Sequence, residues 1–479
     1  MKKKSVLLLS SIIASSVCSF ATDYVYSPAA GNTIQTITPG WPISSAVLKL
    51  DENGTVATGT YGGGSDGCAR FQIVGADAKS VNCIKGDASN AKEDFKGWDL
   101  IGNWAINIYN SANTEYTVLD FNEDVKIVSY GNSGTINIYN SLNPSASANG
   151  NFKKITFSNA YGKIRSELGT LRLNGDEIVF SGSDTALHVA KGTMEYNVAK
   201  TTWGEKTAYL QVDQGATFKM LTDGFTLNRA FISGDFVNET KNNLSIVANL
   251  SYQTEVTGSL FSKGRIRLEN KSAATFAGDV SYLKSTSTSL LMYGSATLTL
   301  AAKDTLHALS LSTKEAYDAA ADKSAFLVRE EDGKTVYYQK ETAIIVVAND
   351  NSNTINVDAT NKFYLHYSGI KNASVNVASE ATWVLTQFEG NGVTLNLGNF
   401  ENDSLFILDE AKEKFDMIGA INAVAADGTT YTKEDLAYIA GTFEGMNGYW
   451  LTVAVPEPAE WAMILGGLAL GLAIYRRRK

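Results

Sequence analysis

The residues that most often perform acid, base or metal chemistry are few and scattered in this chain of 479 residues. Its three histidines are His188, His307 and His366, and they lie too far apart to form a local metal-binding or catalytic motif. His188 and His366 occur in strand-like segments, TALHVAK and FYLHYSG, where a structural histidine is expected. The histidines therefore predict neither a catalytic base nor a metal site.

Carboxylates occur in adjacent runs, and two carboxylates hydrolyse a glycosidic bond when they face one another about 5–9.5 Å apart. Neighbouring residues of a strand point to opposite faces of the sheet, so no adjacent pair forms such a dyad by itself. We expect these acids in solvated turns and at helix starts. The runs are 93–94, 123–124, 330–332, 409–410 and 434–435.

Arginines suggest a second polysaccharide chemistry, because a lyase needs cations that neutralise the carboxylate of a uronic acid. The candidates are Arg165, Arg172, Arg265 and Arg267, although arginine is common on strand surfaces. The Asn-Thr-Asp, Asp-Asp and Gly-His-Gly segments of polygalacturonase-like enzymes are absent from the sequence. We therefore predict no catalytic residue, no metal and no cofactor, and keep a polysaccharide lyase or glycoside hydrolase on a β-helix as the alternative.

Proline is the least evenly distributed residue. The chain has 6 prolines, and none lies between residues 145 and 455. Proline lacks the backbone N–H that a sheet ladder needs, so a long proline-free stretch rich in Thr, Ser, Asn, Gly, Val and Ile predicts nearly continuous sheet. Turns in such a stretch are made by Gly, Asn and Asp.

A repeat supports this interpretation. The hexapeptide INIYNS occurs at Ile106–Ser111 and again at Ile136–Ser141, 30 residues later. Each copy alternates apolar and polar residues, which is typical of a strand with one buried face. Looser relatives are GTLRLNG from Gly169, GRIRLEN from Gly264, SATLTLA from Ser295, NTINVDA from Asn353, ASVNVAS from Ala373 and GVTLNLG from Gly392. Repetition at intervals of a few tens of residues indicates a solenoid, whose coils bury their apolar faces only by stacking.

We therefore predict a mainly β protein whose residues 61–400 form a parallel β-helix, and this pattern resembles the autotransporter-like and pectate-lyase-like solenoids of exported bacterial proteins. Asparagines beside the strands are expected to stack at successive corners; they include Asn110, Asn140, Asn174 and Asn270. Tandem β-sandwiches are the alternative fold, disfavoured because proline and hairpin dipeptides are scarce.

Helical patterns interrupt the strands at 312–323, 409–417 and 431–439. Ser312 with Glu315, and Thr432 with Asp435, have the spacing of capping boxes. The last two helices indicate a small α+β terminal unit over 401–455 that covers the end of the stack. Residues 22–60 are assigned to a cap that leads into the solenoid.

The first 21 residues have the pattern of a secretory signal peptide. Lys2, Lys3 and Lys4 precede an apolar run, and small residues precede a predicted cleavage site after Ala21. An uncleaved membrane anchor is the alternative. Export implies passage through the Sec translocon and removal of the peptide by signal peptidase.

The last residues read VPEPAEWAMILGGLALGLAIYRRRK. Residues 462–475 are 14 apolar positions, or about 21 Å of helix against a hydrocarbon core of about 30 Å. The following cations fit the cytoplasmic side of a membrane; they are Arg476, Arg477, Arg478 and Lys479. We therefore predict a short, single C-terminal transmembrane helix.

This tail, residues 456–479, resembles the PEP-CTERM sorting signal. The matching parts are the motif Pro456, Glu457 and Pro458, the apolar helix, and the basic cluster at the last four positions. The resemblance implies that an exosortase in the inner membrane cuts near the motif and passes the body to the envelope or extracellular matrix of a Gram-negative-type bacterium. Such bacteria often make exopolysaccharide, which is the candidate ligand.

Charge and cysteine content describe the exported body. Without both basic termini, the net charge changes from −9 to about −15, which disfavours nucleic acid and anionic lipid. Cys68 and Cys83 are then the remaining cysteines, and in an exported protein they predict a disulfide, with two free thiols as the alternative.

We expect a non-enzymatic, exported protein of the envelope or matrix with a structural or adhesive body.

Replacing Pro456, Glu457 and Pro458 with alanine is expected to leave the tail attached and the protein in the inner membrane, because the extended motif that the exosortase would read is lost. The measurement is immunoblotting of membrane and released fractions. Replacement of Ala454 and Val455 is the matched control and is expected to leave release unchanged. Normal release of the triple variant would contradict the sorting prediction.

Overall fold

The computed structural model describes residues 163–454 with gaps at 205–206, 224, 249–250, 285–288, 349–352, 369–371 and 391. Before residue 163 it describes the backbone of strands alone, and in the tail it describes residues 465–470, 472 and 476. The predicted signal peptide, the Pro456-Glu457-Pro458 motif, Arg477, Arg478, Lys479 and Cys83 lie outside the described residues, as do the side chain of Cys68 and hence the predicted disulfide.

Parallel strands stack into three sheets that form the faces of a solenoid. Sheet 1 contributes one strand to every coil, and each strand pairs in parallel with the next. Its strands are Cys68–Val74, Asn103–Tyr109, Ser133–Tyr139, Lys163–Leu168, Ala186–Val189, Tyr209–Val212, Ala230–Ile232, Thr254–Val256, Ala273–Phe276, Thr297–Leu300, Asn353–Val357, Asn372–Val377, Thr394–Gly398 and Ala420–Val424.

The other two faces follow sheet 1 along each coil. Sheet 2 comprises Gly97–Leu100, Tyr116–Ser129, Ser147–Phe157, Thr170–Phe180, Thr193–Trp203, Thr217–Met220, Asp235–Asn238, Ser259–Ser262, Asp279–Leu283 and Leu306–Ser312. Sheet 3 comprises Thr226–Leu227, Leu244–Ile246, Ile266–Leu268, Leu290–Tyr293, the second half of Lys334–Ala348, Asn361–Ser368, Trp383–Glu389 and Leu405–Leu408. Short antiparallel strands precede the stack at Tyr24–Tyr26, Gln35–Ile37, Val47–Leu48, Gly59–Gly63 and Ile84–Gly86.

The register of sheet 1 defines about eleven coils from residue 163 onward. One outward position of each coil pairs with the same position of the next, which we call column 1. Column 1 comprises Arg165, His188, Gln211, Phe231, Glu255, Thr275, Thr299, Asn356, Asn376, Gly398 and Val424. The predicted parallel β-helix is therefore confirmed, and the alternative of tandem β-sandwiches is wrong for this part of the chain.

The repeat that indicated a solenoid occupies equivalent positions of neighbouring coils. Ile106 pairs with Ile136 and Tyr109 with Tyr139, so the INIY segments of the two copies lie side by side in sheet 1. The four relatives from 295, 353, 373 and 392 also supply consecutive strands of this sheet. Strands with alternating side chains pair in register because a shift by one residue would turn every apolar side chain outward.

The interior is a continuous column of apolar side chains. In Tyr209–Val212 and Thr217–Met220 every second residue is buried, as one-sided strands require. Aromatic rings stack along the axis: the ring of Phe218 lies 5.5 Å from Tyr196 on one side and 5.3 Å from Phe236 on the other, centroid to centroid. Each coil therefore completes the core of its neighbours.

Glycine occupies the corner between sheets 1 and 2 on successive coils. A Cβ atom on Gly258 would lie 2.2 Å from the carbonyl oxygen of Gly234, and one on Gly278 would lie 1.8 Å from that of Gly258. Backbones at this corner touch across coils, so a side chain has no space there.

Sheet 2 ends with the strand Leu306–Ser312, and an insertion into the solenoid follows it. After Leu306–Ser312 the chain forms the helix Lys314–Ala319, a 3₁₀ turn at Lys323–Ala325 and the strand Phe326–Glu331, which pairs antiparallel with Lys334–Ala348. Lys334–Ala348 also pairs antiparallel with Leu306–Ser312 before it joins sheet 3. The helix is shorter than the predicted 312–323, and its N-cap is Thr313, whose hydroxyl accepts from the N–H of Ala316, rather than Ser312.

Beneath this insertion lies a second, small core on the outside of sheet 2. Val237 and Phe261 point outward from sheet 2 yet are buried, because Leu309 and Tyr338 pack over them. Phe261 and Tyr338 have ring centroids 5.6 Å apart. The insertion is therefore packed against the solenoid by apolar contacts.

The end of the stack is covered by antiparallel strands more than by helices. Parallel pairing continues past residue 400 to Ala420–Val424, whose edge pairs with Thr430–Thr432. Leu405–Leu408 pairs with Met446–Val453, and this strand pairs with Leu436–Phe443. The predicted helix at 409–417 is present as Asp409–Asp416, with Ala411 and Phe415 buried.

The helix predicted at 431–439 is wrong in extent. Thr432 and Asp435 form the capping box that their spacing predicted, but the turn is the single 3₁₀ turn Lys433–Asp435. Leu436–Phe443 is a strand because it pairs along its whole length with Met446–Val453, and this pairing outweighs the local helical preference.

The C-terminal helix is only partly described. Residues 465–470, 472 and 476 are helical, and the rest of the predicted 462–475 segment lies outside the described residues. Among the residues that the structure describes, no helix has the length and apolar character needed to cross a membrane.

Substituting Gly258→Ala is expected to lower the free energy of unfolding by about 1–3 kcal/mol, because the added methyl group overpacks a backbone contact. Thermal or denaturant unfolding measures the change. The control is Thr257→Ala on the same turn, where the side chain is exposed and its hydrogen bond to Ser233 is lost, so a change of at most about 1 kcal/mol is expected. Equal stability of Gly258→Ala and the wild type would contradict the corner packing.

Candidate functional site

A cleft of about 640 Å³ lies between sheet 2 and the insertion, and we call it the charged cleft. Its walls come from four successive coils and from the hairpin turn of the insertion. The lining residues are Glu195, Lys219, Leu221, Asp223, Glu239, Thr240, Lys241, Asn242, Lys263, Glu330, Glu331 and Asp332. Six carboxylates and three ammonium groups give this lining a net negative charge.

Opposite charges alternate along one wall of the charged cleft. Arg172 pairs in register with Glu195 and Glu195 with Lys219, one coil apart each time. Nε of Arg172 lies 2.7 Å from Oε2 of Glu195, and Nζ of Lys219 lies 3.9 Å from Oε1 of the same carboxylate. Arg172, one of the four candidate arginines, therefore serves a ladder of ion pairs that runs across three coils.

Lys263 joins the solenoid to the insertion. Its ammonium group lies 2.5 Å from the carboxylate of Glu239 on the neighbouring coil and 2.6 Å from that of Glu331 on the insertion. Burial disfavours the charged form of Lys263, but the hydrogen bonds and negative charges of the two glutamates outweigh burial and raise its pKa. Tyr338 donates its hydroxyl to the other oxygen of Glu331, at 2.8 Å.

These contacts indicate what the cleft can do. Oε2 of Glu239 and Oε2 of Glu331 lie at most about 5 Å apart, because both contact the same ammonium nitrogen of Lys263. Pairs of carboxylates that hydrolyse a glycosidic bond are about 5–9.5 Å apart. Here the shared ammonium group occupies the space between them, and Glu331 is also bound by Tyr338. Their present arrangement is that of a structural bridge that holds the insertion against the solenoid.

A second polar cluster lies on sheet 1, where His188 is buried between neighbouring coils. Nε2 of His188 lies 2.9 Å from Oδ2 of Asp213, and Gln211 donates to Oδ1 of Asp213 at 2.7 Å. Burial lowers the pKa of His188 despite the opposing effect of Asp213, and the positive charge of Arg165 lowers it further. His188 is therefore neutral at pH 7, and since Asp213 can only accept, Nε2 carries the proton.

The structure separates the remaining candidates. His366 lies 3.6 Å from Glu389 on sheet 3, and Glu389 also binds Lys414. The pKa of His307 is lowered by burial beside Asp279. Arg267 pairs with Glu269 on its own strand, 3.2 Å away, and lies over the ring of Tyr293, while Arg265 lies at a turn before Ile266–Leu268. The four arginines are therefore not brought together.

Side-chain ladders of asparagine form where strands pair in register, and Asn174, one of the predicted positions, belongs to one of them, although it lies within a strand and not at a corner. Asn197 donates to Asn174 at 3.2 Å on sheet 2. On sheet 1, Asn376 donates to Asn356 and Asn422 to Asn396, at 3.0 and 3.1 Å. Asn110 and Asn140 lie outside the residues whose side chains are described.

The predicted absence of a metal site stays a prediction, although within the described part of the chain no three His, Cys, Asp or Glu side chains are grouped to hold a metal ion.

The charged cleft is not among the sites predicted from the sequence. A signal was present, because Arg172, Glu195 and Lys219 recur at intervals of 23 and 24 residues, which is one coil.

No protein-family model, no characterised protein and no solved structure matches this chain.

Substituting Lys263→Met is expected to lower stability by about 1.5–3 kcal/mol and to loosen the insertion, because two neighbouring carboxylates lose the cation between them. Thermal unfolding and limited proteolysis within residues 312–341 measure the two effects. The control is Lys241→Met, which removes an exposed ammonium group of the same cleft. Wild-type protease resistance in Lys263→Met would contradict the bridging role.

Proposed function

We propose that this chain is an exported bacterial protein of the cell envelope or extracellular matrix, with a structural or adhesive β-solenoid body and a C-terminal signal processed by an exosortase. The tail residues Pro456, Glu457 and Pro458 and the basic cluster support the sorting route. The body would be exported through the Sec translocon and freed of its signal peptide, and would span the inner membrane only transiently through its tail.

One observation carries the proposal for the body. The outward positions of sheet 1 form aligned columns over about eleven coils, spaced by about 4.8 Å. A ligand that runs along the solenoid axis would meet a side chain of the body at every coil. Many weak contacts in a row suit adhesion to an extended polymer or assembly of a matrix.

The acidic charge of the body fits this role. A net charge of about −15 keeps an exposed body soluble and disfavours binding to nucleic acid.

The covered end of the stack limits pairing with other chains through sheet edges, because antiparallel strands occupy the edges of Ala420–Val424 and Leu405–Leu408.

A polysaccharide lyase or glycoside hydrolase is the second candidate, and the His188 cluster favours it. Arg165, His188 and Asp213 bring a cation, a neutral imidazole and a carboxylate together on one face. A neutral histidine is a competent general base, and an arginine can neutralise a uronic acid.

Incubating the purified full chain with acidic and neutral polysaccharides distinguishes the two functions. We expect co-sedimentation with at least one polymer and no new reducing ends or unsaturated products above background. Product formation that is lost in His188→Ala would replace the adhesive proposal with the enzymatic one. A chain that neither binds a polymer of the panel nor reaches the cell surface would contradict the proposal.

A further inference from the structure

The outward face of sheet 1 changes character along the solenoid. Its later coils present small polar side chains, such as Thr299, Asn356 and Asn376. Coils 3 to 5 present three partly exposed aromatic rings instead: Tyr209 and Phe231 lie on the strands, and Tyr252 lies just before the strand Thr254–Val256. Outward aromatic residues on a polar sheet face mark a contact surface, because water solvates them poorly.

Two cations lie among these rings. The guanidinium of Arg229 lies 5.7, 5.0 and 5.3 Å from the ring centroids of Tyr209, Phe231 and Tyr252. The ammonium of Lys163 lies 5.4 Å from the centroid of Tyr209, two coils away. Ala186 stands in register between Lys163 and Tyr209, and its small side chain leaves room for Lys163 to reach across. We call these five side chains, Lys163, Tyr209, Arg229, Phe231 and Tyr252, the aromatic strip.

The cations of the aromatic strip differ from most others in the chain. Lys219, Lys263, Lys284, Lys340 and Lys362 each lie against a carboxylate. Within the described residues, Lys163 and Arg229 contact rings and lie against no carboxylate; Arg229 also donates to the carbonyl oxygen of Thr207. Rings hold these charges in place without neutralising them, so both remain available to an anion.

Polar side chains of column 1 border the strip. Arg165, His188 and Gln211 follow one another in register on three coils, and Gln211 and His188 both bind Asp213. Glu255, two coils beyond Gln211, accepts from Gln253 at 3.1 Å. Asp213 and Glu255 therefore each accept hydrogen bonds from neighbouring side chains, and the face combines ring surfaces, hydrogen-bonding groups and the two cations of the strip.

We infer that the aromatic strip binds a polysaccharide that contains uronic acids. This inference rests on the proposed function, because it specifies the class of polymer that the adhesive body would bind. Sugar rings present apolar faces that pack on aromatic rings, and their hydroxyl groups suit the bordering polar side chains. The carboxylates of the polymer pair with Lys163 and Arg229. The charged cleft on the other side of the solenoid has a net negative lining and would repel the same polymer.

The coil spacing fits a polymer that lies along the solenoid axis. Successive strands of sheet 1 are about 4.8 Å apart, close to the length of one sugar unit. Lys163 and Arg229 belong to coils 1 and 4 of the described stack, but their charged groups lie 5.4 and 5.7 Å from the same ring centroid of Tyr209. The two charges are therefore at most about 11 Å apart, or about two coil spacings. A chain with regularly spaced carboxylates can then contact both cations at once.

The test compares binding of the purified full chain to polygalacturonate, a neutral β-glucan and single-stranded DNA by isothermal titration calorimetry. We expect polygalacturonate to bind more tightly than the other two polymers. Its binding is also expected to weaken as salt rises from 0.1 to 1 M, where the screening length falls from about 10 to about 3 Å. Equal affinity for the neutral glucan, or tighter binding of DNA, would overturn the inference.

Variants locate the site. The double variant Lys163→Gln and Arg229→Gln is expected to bind polygalacturonate at least tenfold more weakly. The control is Lys241→Gln with Lys334→Gln, which removes two exposed lysines and gives the same net charge. Arg229→Lys, which keeps the charge, is expected to retain most binding and separates loss of charge from loss of fold. Unchanged binding in the Lys163/Arg229 variant refutes the strip as the site, and if the wild type still binds a polymer of the panel, the adhesive function stands.

Discussion

The structure depends on one constraint: a strand with a single apolar face cannot bury that face within its own coil. Each coil of this solenoid has few residues, and its inward side chains meet water unless another coil lies above and below. Stacking therefore supplies both the core and the backbone hydrogen bonds. The unbroken apolar column that includes Tyr196, Phe218 and Phe236 is the direct result.

Stacking in register also determines what the surface can do. Residues that are a coil apart in sequence become neighbours about 4.8 Å apart, so any periodic choice of side chain turns into a line on the outside. The ion pairs of Arg172, Glu195 and Lys219, the asparagine ladders and the aromatic strip are three such lines. Because register fixes these lines, the stability of the stack and the character of its surface depend on the same geometric property.

Much of this fold is readable from the sequence, and the rest depends on distant partners. Alternation, the INIYNS repeat and the proline-free stretch are local signals, and they predict the parallel strands correctly. The helical pattern at 431–439 predicts the wrong structure from Leu436 onward, because pairing with the distant strand Met446–Val453 decides the conformation of Leu436–Phe443. The charged cleft requires Glu239 and Glu331 to meet around Lys263, and no short-range pattern relates residues that are 92 positions apart.

The antiparallel strands that cover the end of the stack determine how the body would respond to a pulling force. Met446–Val453 lies antiparallel to Leu405–Leu408, and the chain continues from Val453 toward the tail. A pull along this strand from the tail would load the hydrogen bonds between the two strands in shear, together rather than one after another. The last strand of the body would then resist such a force before the coils beneath it are disturbed.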